Sequence, residues 1–482
     1  MPDKISNRWV IGLSLLFTAV NITLIAFDIY YFNAIPFIII IALLALFSVD
    51  NLLFLIVFLV PLSVPLRSIS SGLGIDFYLP TEPLLFGLML IFIYKALLGQ
   101  KIDKKIIWHP VSIVIYINLI WILITSATST LPMVSFKFFL ARCWFIIGFY
   151  VLATQLFNKY QNTHKYIWLY IISMAIVIFY DFGNLAANGF LDQKAAHSAM
   201  YPFYNDHTSY GAIISMFIPV LLYFAITNKH RYTGHKTILW FLLVLFIFAL
   251  IMSYSRAAWI SVIGGVVVWI IIKLKIKFRT LLFIIVIAGV YFASLFNQII
   301  MELEKNDQDS SGDLAEHVQS ISNIATDASN VERLNRWYCV FQMFKEKPIL
   351  GWGPGTYQFQ YAPYQFSYNR TIISTNMGDW GNAHSEYFGP LAEQGVLGMI
   401  SFISIVVVVI LTAIRVYKNT KSKKVKGLCL ALLIGLITYF IHGTLNNFLD
   451  TDKASAVFWG FIAIIVALDV NFKDKEDSQL NF

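Results

Sequence analysis

The chain has 482 residues, of which 58% are hydrophobic, 16% aromatic and only 13% charged. Soluble domains carry roughly 45–50% apolar and about 25% charged residues, so this composition excludes a cytosolic enzyme, a nucleic-acid-binding module and a secreted disulfide scaffold. With a mean hydropathy of +0.70 it predicts a multi-span membrane protein, in which the placement of the +8 net charge matters more than its sum.

A spanning helix needs about 20 mostly apolar residues. Fourteen segments qualify in order, near 9–27, 30–48, 50–66, 82–98, 110–128, 137–157, 165–183, 208–227, 238–253, 257–272, 280–297, 386–414, 427–446 and 455–470. Several are short or contain Pro, so the expected fold is an all-α integral membrane protein with 12–14 transmembrane helices. The first run lacks a small-residue cleavage site and leads straight into the second, which reads as a span and not as a signal peptide.

Basic residues set the expected orientation. With Lys4 and Arg8 inside, every second connection is basic: Lys101, Lys104 and Lys105; Lys159 and Lys165; Lys229, Arg231 and Lys236; Lys273, Lys275, Lys277 and Arg279; and the run from Arg415 to Lys426. This positive-inside alternation places both termini in the cytoplasm and explains the basic clusters without any ligand. Cys143, Cys339 and Cys429 form no CxxC pair and no metal-ligand spacing.

One outside connection, about 298–385, is far longer than the rest, and long loops with structure of their own are usually functional. Ser329 to Glu332 is a capping box, and Leu334, Trp337, Phe341 and Phe344 then recur at helical spacing. "PILGWGPGTY" (348–357) ends that helix in a turn. The loop is therefore expected to be a small helical cap. The acidic stretch 302–316 fails as a calcium loop, because Val318 stands where a bidentate Glu is needed. Residues 331–388 contain fourteen aromatic residues, which suit sugar stacking and membrane interfaces equally.

Five groups of polar residues bear on chemistry. Arg256, in "SYSRAAW" (253–259), lies between two apolar runs, where it either snorkels or serves an anion site at a helix start. Arg333 and Arg336 lie one turn apart, as a solvated face or as a phosphate clamp, since guanidinium binds phosphate bidentately. His384, beside Asn382 and Glu386 where the loop re-enters the membrane, can act as a general base kept neutral by nearby Arg charges. His207, in "YPFYNDHTSYG" (201–211), shares the outside placement, and His442 ends a span on the same side. Lys137 and Arg142 lie in the outer half of one span and extend the anion site, snorkel or pair with an acid. No P-loop, GxSxG or HExxH motif and no paired Cys/His site occurs.

The order of five elements is more specific than any one of them. "YPFYNDHTSYG", "SYSRAAW", "ERLNRW" (332–337), "PILGWGPGTY" and "AHSEYFGPLAEQGVLG" (383–398) together resemble the O-antigen ligase and polymerase family of bacterial membrane glycosyltransferases with a Wzy-type C-terminal domain. The resemblance covers about residues 200–400. It implies a C-type glycosyltransferase-like architecture with N-terminal transmembrane helices (1–200), a catalytic region (201–415) and C-terminal helices with a cytoplasmic tail (416–482). It implies a metal-independent, inverting transferase without cofactor, active on the periplasmic face of the bacterial inner membrane. The donor would be glycan linked to undecaprenyl diphosphate, and the acceptor lipid A-core or a growing glycan. Arg256, Arg336 and, as second choice, Arg333 would hold the diphosphate and His384 would be the base, with Lys137, Arg142, His207 and Glu386 auxiliary. The chain departs from the family pattern in Ser385, often Asn there, and Ala257, often Gly.

Diphosphate is a good leaving group, so the paired carboxylates of glycosidases are not expected. Ligation to lipid A-core is the leading expectation; polysaccharide polymerisation and transfer to protein hydroxyls use the same donor. The rival from another class is a polysaccharide transporter or flippase, but transporters usually place the substrate at the bilayer midplane between related halves, and no such halves are visible.

Overall fold

A computed structural model describes residues 7–68, 77–99, 103–227, 233–276, 279–280, 328–365 and 381–480. The chain is an all-α integral membrane protein. Each expected span coincides with a described helix except 280–297, which lies outside the described residues, as does the acidic stretch 302–316. Among the described residues, eight helices are long and apolar enough to cross a membrane, from Pro110–Ala127 to Asp452–Phe472. Four further apolar helices there are shorter: Ile11–Ala26, Tyr31–Phe47, Val49–Leu62 and Lys236–Met252.

The chain forms two compact units, Met1–Leu55 and Ile56–Phe482. In the first, the helices Asn7–Ala26 and Ile35–Phe47 are joined by a 3-10 turn, Tyr31–Ala34. Phe17 stacks on Phe32 at 5.1 Å and Asn21 donates to Asn33 at 2.7 Å. Leu15, Leu16, Phe37 and Ile38 are exposed, as lipid-facing side chains are.

The second unit is organised around two helices that are apolar on all sides, Lys423–His442 and Asp452–Ala467. A helix apolar all round is buried by its neighbours, and every residue of Asp452–Ala467 is buried. Helices His207–Thr227, Arg256–Lys273 and Phe388–Asn419 pack against Lys423–His442, and Pro110–Ala127 packs along Phe388–Asn419. Lipid tails are as apolar as these side chains, so close packing and internal hydrogen bonds hold the bundle.

The described part of the long loop is helical, as expected: Ala328–Glu346, Tyr357–Gln360 and a 3-10 turn Ala362–Tyr364. It has a small core of its own around Cys339, Val340, Met343, Tyr357, Tyr361 and Leu391. The buried face of Ala328–Glu346 is not the expected apolar stripe. Glu332, Asn335 and Arg336 are buried while Phe341 is 43% exposed. An internal ion pair, Arg336 Nε to Glu332 Oε1 at 2.6 Å, makes that polar burial tolerable, and Trp337 and Phe341 pack edge-on against Phe388 instead.

Candidate active site

The five sequence elements are brought together by close backbone approaches. Gly211 of the first lies against Ser253, Ser255 and Ala258 of the second, where an added Cβ would come within 3.0 Å of Ser255 Cβ. The fourth docks on the fifth: Trp352 N donates to Ala392 O at 3.1 Å, Gly353 N to Glu393 O at 2.7 Å, and Val396 N to Pro348 O at 2.9 Å. That docking needs glycine. Gly353 (φ +116) and Gly395 (φ +70) have left-handed backbone, and a Cβ on Gly395 would fall 2.0 Å from Ile349 O. The same turn reaches the N-terminal spans, with Thr130 N donating to Trp352 O at 3.0 Å and Ser135 Oγ to Pro354 O at 2.8 Å.

His384 lies just before the Phe388–Asn419 helix in left-handed backbone, φ +47. Such a conformation is uncommon outside glycine and costs about 1–3 kcal/mol. Neighbouring bonds hold it. His384 N donates to Asn382 Oδ1 at 3.0 Å, and Glu386 N donates to Gly443 O at 2.8 Å. Ser385, the departure from the family pattern, receives Tyr387 N and Phe388 N at 3.3 Å each and so caps the helix start. Burial first, then Arg333 and Arg336, push the His384 imidazole down to about 4; Asp206 and Asn446 oppose them. The ring is neutral at physiological pH.

Arg333 is half-buried, and its Nε donates to Leu445 O at 3.2 Å. Its charge bears on both His384 and His442. Asn446 Nδ2 meets His442 Nε2 at 3.1 Å, and the Asn446 side chain bears on His384 as well. A neutral imidazole carries one N–H and one acceptor nitrogen, the form a base needs.

Arg256 opens the helix Arg256–Lys273, half-buried. Asp206 is anchored at the start of His207–Thr227, receiving Thr208 N at 2.6 Å and Ser209 N at 2.9 Å. His207 stacks on His197 with ring centroids 4.0 Å apart, and Arg256 and Asp206 both bear on His197. Arg256, Arg333, His384 and His207 therefore share one cluster.

Other sequence candidates have different placements. Arg336, only 2% exposed, is bound by Glu332 and stacked over Tyr361 at 4.0 Å; Gly381 lies against its guanidinium. Glu386 is a buried brace whose Oε1 receives Tyr439 Oη, Phe448 N and Leu449 N at 2.7, 2.7 and 2.9 Å. Burial first, and then Asp450, push its carboxyl above the usual carboxylate range. Arg142 pairs with Asp450 at 2.7 Å. Lys137 is exposed on the helix Pro132–Ile146.

The arrangement combines a neutral histidine with arginines, and no cluster suited to a metal occurs among the described residues. Residues 241–403 match the family model Wzy_C, O-antigen ligase. The match supports the O-antigen ligase family and a glycosyl-transferring role in O-antigen or polysaccharide assembly, with glycan and lipid substrates in general. Sequence comparison with curated proteins gives no match. The region matched to O-antigen ligase holds Arg256, Arg333 and His384, but Asp206, His207 and the turn 442–450 lie outside it. Sequence reasoning gave Asp206 and Asn446 no role and His442 little. The available signals were an Asp before Thr and Ser at a helix start and the H-x-x-x-N spacing of His442 and Asn446.

Proposed function

We propose that the protein transfers glycan from undecaprenyl diphosphate to an acceptor hydroxyl on the periplasmic face of the bacterial inner membrane, with both termini cytoplasmic and residues 201–415 as the catalytic region. Ligation to lipid A-core is the leading form. The observation that carries this reading is the neutral His384 with Arg333 and Asn446 bearing on it, in the cluster that also takes in Arg256.

The acceptor oxygen attacks the anomeric carbon as the bond from that carbon to the phosphate oxygen breaks. The bonding pair leaves with the diphosphate, whose growing charge fixed guanidinium groups stabilise. The acceptor proton passes to the free ring nitrogen of His384. Attack opposite the diphosphate inverts the anomeric centre, and no metal enters the scheme. Arg333 and Arg256 are assigned to the diphosphate. Arg336, whose charge is already compensated by Glu332, is assigned to holding the loop helix.

The test is a glycolipid gel of the source organism with the gene deleted, then restored as wild type or His384→Asn, alongside an assay of carrier-linked glycan. Bare core with long chains accumulating on the carrier identifies a ligase. Core bearing a single repeat identifies a polymerase. Normal glycolipid with His384→Asn at wild-type expression rejects the mechanism.

A further inference from the structure

Asn382, Ser385 and Glu386, the neighbours of His384, line a cavity of about 270 Å³ that also takes in Gln394, Asn447 and Asp450. His384 is not part of its wall. The cavity begins where the Phe388–Asn419 helix is broken by non-helical backbone at Gly395, with the Gln394 carbonyl turned to the Trp121 indole at 2.9 Å. Asp450, 46% exposed at its side chain, stands at the open end and pairs with Arg142.

Two buried polar atoms of the lining, Gln394 Oε1 and Asn447 Oδ1, have no hydrogen-bond partner among the described residues. Gln394 as a residue is 3% exposed. A buried amide oxygen left unpaired is destabilising, and that cost is recovered when a ligand donates to it. The charged groups of the lining, among the described residues, are Glu386, Glu393 and Asp450 against the single Arg142. The lining is therefore rich in acceptors and poor in cations. It suits a ligand that brings several O–H or N–H donors, and it offers little to an anion. Ligand clefts are commonly about 300–1,000 Å³, so the space matches one ring and not a chain.

We infer that this cavity is a subsite for a single uncharged sugar ring, held by Gln394, Asn447 and Asp450 beside the His384 segment. The inference rests on the glycosyl-transfer reading for its place in the reaction, as the position of one ring next to the bond being made.

The test uses the full-length protein in nanodiscs. The probe is the oligosaccharide released by mild acid from the source organism's own surface polysaccharide, followed by saturation-transfer NMR. Wild type should bind it, and Gln394→Leu and Asn447→Leu, similar in size but unable to accept, should each weaken binding at least tenfold. Asn447→Ala and size-exclusion profiles guard against misfolding. Monodisperse variants that bind as wild type does overturn the subsite. Transfer from the organism's extracted glycolipids is measured in parallel. A raised KM for acceptor alone puts the ring on the acceptor, and for donor alone on the donor; either supports the subsite. If wild type binds sugar but transfers none, the glycosyl-transfer reading fails and the subsite stands. If wild type transfers and both Leu variants keep its KM for both substrates, the subsite fails and the reading stands.

Discussion

Two polar clusters stand at the same end of the second unit's central helices, and they are built differently. Around Lys453, each charge faces its opposite: the ammonium donates to Ser63 O at 3.0 Å and Ser63 Oγ at 2.6 Å, lies 3.6 Å from Asp452 and sits over the Tyr78 ring at 4.2 Å. Asp452 in turn receives Ser63 and Thr81 hydroxyls. Around His384 the charges that bear on it are Arg333, Arg336 and Asp206; Arg336 is paired with Glu332, and Asp206 is engaged as a helix cap. The first cluster ties the segment before the Thr81–Leu97 helix to the last span. The second gathers charges of both signs about one neutral ring that can itself take a proton. Buried charge alone therefore does not mark function; the marker is a neutral group able to carry a proton.

The largest effects separate these clusters. Lys453→Met leaves Asp452 buried without its partner, and breaking a buried pair costs about 3–5 kcal/mol. Expression and thermal stability in detergent, followed by tryptophan fluorescence, should both collapse. His384→Asn keeps a residue that tolerates left-handed backbone. It should leave thermal stability near wild type while transfer falls by roughly 10²–10⁴. A fall in stability equal to that of Lys453→Met would place His384 among the structural residues.

The two arginines of the loop helix give the next contrast, one turn apart. Arg336→Ala strands Glu332 in the core, so about 3–5 kcal/mol of stability should be lost. Arg333→Ala removes a half-exposed guanidinium and should change stability little, while transfer falls about 10²–10³-fold, as for loss of one transition-state donor. Arg333→Lys should recover less than half of the loss, because ammonium cannot bind phosphate bidentately. Full recovery would mean that charge alone matters there.

The spans and the loop helix were legible because both depend on patterns within one segment: apolar runs of spanning length, and a capping box followed by a 3.6-residue period. The approach of "PILGWGPGTY" to "AEQGVLG" was only half legible, since the glycines announce turns but not what docks on them. The Arg336–Glu332 pair was legible too, because Glu332 lies one turn before Arg336 and predicts an i,i+4 pair, and it bears on which arginine is assigned to phosphate. Asn446 was not legible at all. Its role exists only once the turn 443–450, supplied by a different helix hairpin, has been laid against residues 384–387.

The smallest effect is a pH dependence, and it tests whether phosphate binds at Arg333 beside His384. Protonated His384 cannot accept the acceptor's proton. With the free imidazole near 4, kcat/KM should hold down to acidic pH and be lost as pH falls through about 4, since that profile reports the free enzyme. Folding stability has the matching sign: the unfolded ring, with its ordinary value of 6.5, takes a proton before the folded one does, so stability falls from about pH 6.5 to 4 and not further. A bound diphosphate offsets Arg333 and raises the imidazole's basicity, with the larger effect of burial left in place. The acid limb of kcat, which reports the bound complex, should therefore lie at higher pH than that of kcat/KM. Coincident limbs would mean that the donor's charge does not reach His384, and the arginines around it would then need another anion.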